Sequence, residues 1–207
     1  MVVLVWISVA GSLAAEPAKE GFQKLFDGAT LKGWRGDPVH WSVKDGAIVG
    51  STMPKGRGSN TFLIADGDFK DFVLRVKFKH TTGASGVQFR SRVLGDPKKF
   101  LVIGYQADIG GGDTGTFYEE KGRGTLVRSD LAALKPFFKE GDWNGYEIRA
   151  VGDEVVVKIN GHVTARYTEK DPKIPRAGFV ALQLQGGGGM EISFKDIEIR
   201  VIESKEK

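Results

Sequence analysis

The sequence predicts an all-β fold in which two antiparallel sheets form a sandwich. Short segments that alternate apolar and polar residues follow one another from about residue 20 onward, and turn-forming residues separate them. Glycine accounts for 29 of the 207 residues, as expected for a chain with many tight turns. The sequence contains no internal repeat and no linker, so we expect one domain over residues 20–203.

The alternation also predicts the individual strands. The clearest case is residues 72–80, where four apolar side chains fall on one face: Phe72, Leu74, Val76 and Phe78. A period of two is typical of an antiparallel strand with one buried face. Residues 86–91, 104–110 and 181–185 alternate in the same way, and their apolar residues are Val87, Phe89, Tyr105, Ala107, Ile109, Leu182 and Leu184. We expect these side chains to form part of the core.

Turn signals link further strands. Gly152-Asp153 separates residues 146–151 from residues 154–159, and Asn160-Gly161 separates the latter from residues 162–167. Asn-Gly is the strongest short signal for a β-hairpin.

Two irregular features are expected as well. The apolar parity slips between Phe194 and Ile197, which predicts a β-bulge near Lys195-Asp196. In residues 129–138, Ser129 or Asp130 could cap a short helix that ends at Pro136.

Charge and composition exclude several classes of function. The net charge is +4, and basic residues are interleaved with acidic ones. A nucleic-acid partner requires a basic stripe, so we expect none. The chain has no Cys, which excludes disulfides and a Cys nucleophile.

The first residues indicate export. The stretch up to Ala15 is uncharged and apolar, about as long as a signal-peptide core and too short to cross a bilayer. Small residues at Ser12 and Ala14 suit a signal peptidase. We therefore predict a signal peptide over residues 1–14, no transmembrane segment after its removal, and a periplasmic or secreted location. A buried N-terminal strand is the alternative.

Three strands carry an unusual set of polar residues on their non-core faces. The set, called here the polar face, consists of Gln88, Arg90, Gln106, Asp108, Gln183 and Gln185. Amides and a guanidinium are directional hydrogen-bonding groups suited to sugar hydroxyls or a carbonyl, whereas an ordinary solvated sheet favours Lys, Glu and Thr. An Asp in a strand is especially unexpected, because Asp is depleted there. If the strands are neighbours, these residues share one site; otherwise they form a coincidental exposed surface.

A glycine-rich segment, residues 110–124, follows the strand that carries Asp108. Glycines let a backbone approach a ligand closely, and functional groups concentrate on such loops. Tyr118 can stack on a sugar ring, and Glu119, Glu120 and Arg123 add charged groups. We expect Tyr118 and Arg123 to contact substrate.

The sequence offers few other sources of chemistry. It has no G-x-S-x-G nucleophile motif, and its three His residues lack metal-ligand spacing. We expect no cofactor, although Asp108 and Glu119 could supply oxygen ligands to a hard cation. Acid–base chemistry is therefore expected from carboxylates or tyrosines.

A series of segments resembles one known family. In order, they are LFDGATLKGW, WSVKDGAIVG, NTFLIADGDFKDFVLRVKFK, SGVQFRS, GYQADIG, TGTFYEEKGRG, DWNGYEIRAVG, KINGH and GFVALQLQGG followed by MEISFKDIEIR. This series is similar to the 3-keto-disaccharide hydrolase domain and covers residues 20–203. The resemblance implies a jelly-roll sandwich of the concanavalin A-like lectin and glucanase type, export in bacteria, and action on glycosides oxidised at C3.

The resemblance also implies roles for particular residues. Arg90, Gln106, Asp108, Tyr118 and Glu119 match positions in the family's motifs. The sequence departs from the family's pattern at two positions. Ala84 stands where the family often has Asn, and Gln185 stands where it often has His. The missing His puts a His-assisted mechanism in doubt.

Taken with the residues, the resemblance yields a hypothesis of glycoside cleavage. Asp108 or Glu119 is expected to be the base and Arg90 to stabilise an enolate, while the glutamines orient the sugar: Gln88, Gln106, Gln183 and Gln185. Direct hydrolysis by paired carboxylates is a close variant. A non-catalytic carbohydrate-binding module is the alternative, since lectins and glycanases share the sandwich.

Overall fold

The computed structural model of the protein describes residues 21–203; the predicted signal peptide, residues 1–14, lies outside this range. Fifteen strands run through the described residues: β1 (Gln23–Lys24), β2 (Trp34–Arg35), β3 (Trp41–Lys44), β4 (Ala47–Ser51), β5 (Thr61–Ala65), β6 (Phe72–Thr82), β7 (Ala84–Val93), β8 (Val102–Gly110), β9 (Phe117–Glu120), β10 (Gly124–Val127), β11 (Asn144–Val151), β12 (Glu154–Ile159), β13 (His162–Thr168), β14 (Phe179–Leu184) and β15 (Glu191–Val201). A 3₁₀ turn spans Pro97–Lys99, and helix α1 spans Leu131–Leu134.

These strands form two antiparallel sheets, as predicted. Sheet A has the order β13-β12-β11-β6-β15-β4-β3, and β1 pairs with β15. Sheet B has the order β10-β9-β8-β7-β14-β5-β2. No helix within residues 21–203 is long and apolar enough to cross a membrane.

The core lies between the sheets and matches the predicted alternation. From sheet A, Phe72, Leu74 and Phe78 on β6 are fully buried. From sheet B, Phe89 on β7 and Leu182 on β14 face them in the same hydrophobic cluster. Because the inward faces are filled by large apolar side chains, the opposite face of sheet B is left for polar residues.

The predicted turns and irregularities are present. Asn160 and Gly161 have φ angles of 49° and 86°, the left-handed values that a two-residue hairpin turn requires. The pairing of β15 with β6 shifts after Lys195, and Asp196 has a φ of 49°, so the β-bulge is where the sequence predicts it. The Asp130 side chain accepts a hydrogen bond from the Ala133 backbone N–H and caps α1.

The order of strands in sheet B positions the site. β8, β7 and β14 are consecutive neighbours, and Gln88 lies directly opposite Gln106 across the β7–β8 pair. β9 pairs with the other edge of β8, with Tyr118 opposite Gln106. The three strands predicted to share a polar face therefore do so, and β9 extends that face.

Candidate active site

A continuous chain of hydrogen bonds runs across the polar face. The Ser91 hydroxyl donates to Gln88 Oε1 at 2.7 Å, and Gln88 Nε2 donates to Gln106 Oε1 at 2.6 Å. Gln106 Nε2 then donates to Asp108 Oδ1 at 2.6 Å and to Gln183 Oε1 at 3.2 Å. The hydrogen bond from Gln88 fixes the orientation of the Gln106 amide, so that its nitrogen is directed at Asp108 and Gln183.

Two glycines make room for this chain. A Cβ atom on Gly86 would lie 2.5 Å from Gln106 Cδ, and one on Gly104 would lie 2.5 Å from Ser91 Oγ. Both distances are too short for real contacts, so any side chain at either position would displace a member of the chain. The close packing explains why three glutamines can be almost completely buried on the face opposite the core.

The backbone of Asp108 is held from the opposite sheet. The Tyr146 hydroxyl, which projects from β11, donates to the Asp108 carbonyl oxygen and accepts from the Gly115 backbone N–H at 2.9 Å. The Asp108 backbone N–H donates to the Thr116 carbonyl at 3.0 Å. Asp108 is therefore fixed at both its main chain and its side chain.

The electrostatic environment of Asp108 favours its neutral form. Burial raises the pKa of the Asp108 carboxyl to about 7, and the charges of Asp113 and Glu120 add to the rise. The hydrogen bond from Gln106 and the charge of Arg128 oppose it. No ion pair involving Asp108 occurs within the described residues, so no guanidinium or ammonium lowers this pKa by direct contact.

Asp108 opens into a pocket of about 340 Å³ on the outer face of sheet B. Side chains from five parts of the chain line the pocket, among them Asn60, Gln106, Asp108, Tyr118, Glu120, Lys121, Gln183 and Gln185. Ala84, one of the two departures from the family pattern, also lines it, beside Gln185. The predicted residues Gln106, Asp108, Gln183, Gln185 and Tyr118 thus meet at one cavity, and Gln88 supports them from beneath.

A larger cleft, of about 540 Å³, lies on sheet A. Four of its charged side chains form ion pairs with one another: Arg75 with Glu147 at 3.1 Å and Lys77 with Asp196 at 2.7 Å. Such mutual pairing is typical of a solvated protein surface. The smaller pocket is the better candidate, because its Asp108 and Glu120 carboxyls form no ion pair among the described residues and hydrogen bonds orient its Gln106 amide.

Arg90 does not belong to the site, contrary to the sequence prediction. A bulge in β7 after Phe89 gives Arg90 a φ of 46° and turns its side chain away from the pocket. The guanidinium is buried and donates to the Lys70 carbonyl at 2.7 and 2.9 Å, to the Gly152 carbonyl at 2.9 Å and to Asp71 Oδ1 at 3.3 Å. Arg90 thus fastens β7 to two turns next to sheet A.

Glu119 and Arg123 also lie away from the pocket. Since Phe117 on β9 faces the core, Glu119 shares its side of the strand, whereas Tyr118 and Glu120 face the pocket. Arg123 bridges Glu119 and Glu169, with its Nη2 donating to Glu169 Oε2 at 2.6 Å. This ion cluster secures the β9–β10 hairpin, and the carboxyl on β9 that reaches the pocket is that of Glu120.

Asn60 and Lys121 line the pocket but were not named from the sequence, and Glu120 was named only as a charged group of the glycine-rich segment. Asn60 lies in the turn before β5, where no periodic pattern points to a face. Glu120 could have been found from its spacing, because its distance of three residues from Phe117 places it on the opposite side of a strand.

Comparison with known proteins supplies a family. A family model described as a 3-keto-alpha-glucoside-1,2-lyase-like domain matches residues 21–200. Among curated proteins, none matches the sequence significantly.

Solved structures share the fold at low sequence identity. A proposed glycosyl hydrolase from Parabacteroides distasonis has a TM-score of 0.65 at 20% identity, with 89% of this chain and 95% of that chain covered. The carbohydrate-binding module CBM66 from Bacillus subtilis has a TM-score of 0.58 at 12% identity, with 81% and 95% covered. A Bacillus subtilis protein with a galectin-like fold has a TM-score of 0.63 at 12% identity, with 82% and 90% covered. These similarities confirm the predicted jelly-roll sandwich of the lectin and glucanase type.

The structural role of Arg90 is testable by stability. Arg90→Ala leaves the buried Asp71 carboxylate without this guanidinium, so we expect a loss of about 3–5 kcal/mol in unfolding free energy. The exposed Arg92 provides a matched control, and Arg92→Ala is expected to change stability by no more than about 0.5 kcal/mol. Urea unfolding of both variants measures the difference. Equal stability of the two variants would contradict the structural role.

Proposed function

Because the chain belongs to the 3-keto-alpha-glucoside-1,2-lyase-like family, as its sequence indicated, we propose that it cleaves glycosides whose sugar carries a ketone at C3. The observation that carries this proposal is the Asp108 carboxyl, held by Gln106 in a polar pocket with its pKa raised by burial to about 7. A group with that pKa is well suited to act as a general base at neutral pH.

The proposed reaction is an elimination across C1 and C2. The C3 ketone acidifies the C2–H bond, and the Asp108 carboxylate takes that proton while the electron pair forms an enolate. When the ketone re-forms, a C1=C2 double bond appears and the C1–O bond breaks, leaving its electron pair on the departing oxygen. Addition of water across the double bond then yields the free 3-keto sugar, so that elimination and hydration together amount to hydrolysis.

The surroundings of Asp108 support this role over the alternatives predicted from sequence. An arginine beside Asp108 would lower its pKa and weaken it as a base, but the Arg90 guanidinium is engaged by Lys70, Asp71 and Gly152 instead. Glu119 forms an ion pair with Arg123 on the far side of β9. Asp108 is therefore the better base of the two candidates.

Recognition of the sugar is assigned to amide side chains and to an aromatic ring of the pocket. Gln183 and Gln185 present amide groups to the pocket, and Tyr118 offers a ring for stacking. Among the described residues that line the pocket, Lys121 supplies the cationic side chain. We assign to Lys121 the stabilisation of enolate charge that the sequence suggested for Arg90, because an ammonium on an exposed side chain can move to the developing charge.

The second candidate function is sugar binding without chemistry. The likeness to CBM66 supports it, and the amides of the pocket could hold an unreacted sugar equally well. Incubation of the purified protein with a 3-keto-disaccharide and with its unoxidised parent separates the two functions. We expect release of monosaccharide from the 3-keto substrate only; calorimetric binding of either sugar without release would favour the binding module.

We also propose that the protein is exported, on the basis of the uncharged, apolar stretch up to Ala15. N-terminal sequencing of protein from the periplasmic fraction should begin near Ala15. Retention of Met1 on soluble cytoplasmic protein would contradict export.

The base is tested by Asp108→Asn, which preserves the shape of the side chain but removes its basicity. We expect kcat to fall by about 10² to 10⁴. In the wild type, kcat/KM should rise with pH through an apparent pKa of about 7. The residual activity of the variant should not show this rise. The exposed Asp68 provides the control, since Asp68→Asn should retain both the rate and the pH profile.

The same variant has an expected effect on stability. The folded-state pKa of about 7 lies above the unfolded value of about 4, so the stabilisation from the protonated carboxyl is complete below pH 4 and is lost as pH rises through 7. Asn carries no charge to bury, so Asp108→Asn should melt no lower than the wild type at pH 8. A large fall in melting temperature with activity retained per folded molecule would make Asp108 a structural residue.

A further inference from the structure

Glu120 has a buried carboxyl group to which the proposed reaction, with Asp108 as the base, assigns no role. It is 5% exposed, although it projects from the pocket side of β9 rather than into the core. No ion pair of Glu120 occurs in residues 21–203. A carboxyl kept from solvent without a cationic partner has a cost in folding free energy, so its position calls for a functional explanation.

One side chain orients the Glu120 carboxyl. Asn60 Nδ2 donates to Glu120 Oε1 at 3.1 Å, while Asn60 Oδ1 accepts from the Gly186 backbone N–H at 2.9 Å. Asn60 therefore connects Glu120 to the glycine-rich loop that follows Gln185. The contact leaves the second carboxyl oxygen of Glu120 available to a molecule in the pocket.

The protonated form of Glu120 is favoured by its environment. Burial raises the pKa of the Glu120 carboxyl above its usual range, while the charge of Lys121 and the hydrogen bond from Asn60 oppose the rise. The charge of Glu120 in turn raises the pKa of Asp108, so the two carboxyls are close enough to influence each other.

The register of β8 and β9 places the two carboxyls on either side of one residue pair. Gln106 lies opposite Tyr118, Asp108 is two residues further along β8, and Glu120 pairs with Gly104 at the other end. The two backbone positions are four residues apart along the strands, or about 13 Å. Both carboxyls line the same pocket, and the Gln106–Tyr118 pair lies between their backbone positions.

We propose that Glu120 is the catalytic acid that protonates the departing oxygen of the glycoside, an inference that rests on the proposed function. As the C1–O bond breaks and its electron pair passes to oxygen, that oxygen takes the proton from the Glu120 carboxyl. Asp108 has gained the C2 proton and Glu120 has lost one, so a proton passed from Asp108 to Glu120 through solvent restores both groups. Glu120 then favours substrates whose leaving group is a poorly acidic alcohol, such as a second sugar.

The dependence of rate on the leaving group tests this role. Glu120→Gln retains an acceptor for Asn60 but has no proton to give. With an alkyl 3-keto-glucoside, we expect kcat to fall by about 10² to 10⁴. With a 4-nitrophenyl 3-keto-glucoside, whose leaving group needs no proton, kcat should stay within about tenfold of the wild type.

Three further variants make the result decisive. Asp108→Asn should lose activity on both substrates alike, because proton abstraction precedes departure of either group. Glu120→Asp retains an acid and should recover part of the rate on the alkyl substrate, and the exposed Glu140 provides a control in Glu140→Gln. Melting temperatures of all variants establish that each is folded.

The outcomes distinguish failure of the acid role of Glu120 from failure of the proposed function. An equal loss on both substrates in folded Glu120→Gln would overturn the acid role and make Glu120 a residue that shapes the pocket. No loss on either substrate would overturn it as well. Wild-type protein that cleaves neither 3-keto-glucoside would overturn the proposed function itself, independently of Glu120.

Discussion

The site depends on the requirement that a buried polar group must be hydrogen-bonded. Gln88, Gln106 and Gln183 lie almost without solvent contact on the outer face of sheet B, and each would be costly if its amide lacked a partner. The chain from Ser91 through Gln88 and Gln106 meets this requirement and ends on Asp108. Because the amides fix one another's orientation, the Asp108 carboxyl accepts a hydrogen bond from a positioned, uncharged donor. This donor orients the carboxyl but stabilises its charged form less than a cation would.

Packing and chemistry are coupled through this arrangement. The Tyr146 hydroxyl reaches from sheet A to the Asp108 main chain, so the separation of the two sheets also sets the position of the carboxyl. On the outer face, Gly86 leaves space for the Gln106 side chain, and Gly104 leaves space for the Ser91 side chain. A larger residue at either position would displace its neighbour. The sandwich is therefore more than a scaffold for the site, since its core dimensions and its glycines determine where the polar chain can lie.

The comparison of sequence with structure shows where strand parity is sufficient. Alternation correctly predicted the buried residues of β7, β8 and β14 and the shared face of Gln106, Asp108 and Gln183. Parity failed at Arg90, because the residues directly after this bulge are polar and show no slip in apolar parity of the kind that revealed the bulge at Asp196. The glycine-rich loop concealed the start of β9, so Glu119 was chosen where Glu120 faces the pocket. Asn60 was missed because its role arises from contacts between segments far apart in sequence.

Charge balance explains why a pocket that contains both Asp108 and Glu120 can support an enolate intermediate. A negative charge that developed beside a permanent carboxylate in a poorly solvated site would be strongly disfavoured. In the proposed reaction, however, Asp108 is neutralised by the C2 proton at the moment when the enolate charge forms, so the negative charge moves rather than increases. As the proposed acid, Glu120 still holds its proton at that stage and becomes charged only when the electron pair of the enolate breaks the C1–O bond. Asp108, Glu120 and the substrate together therefore carry one negative charge throughout, and the ammonium of Lys121 in the pocket lining can compensate for that charge.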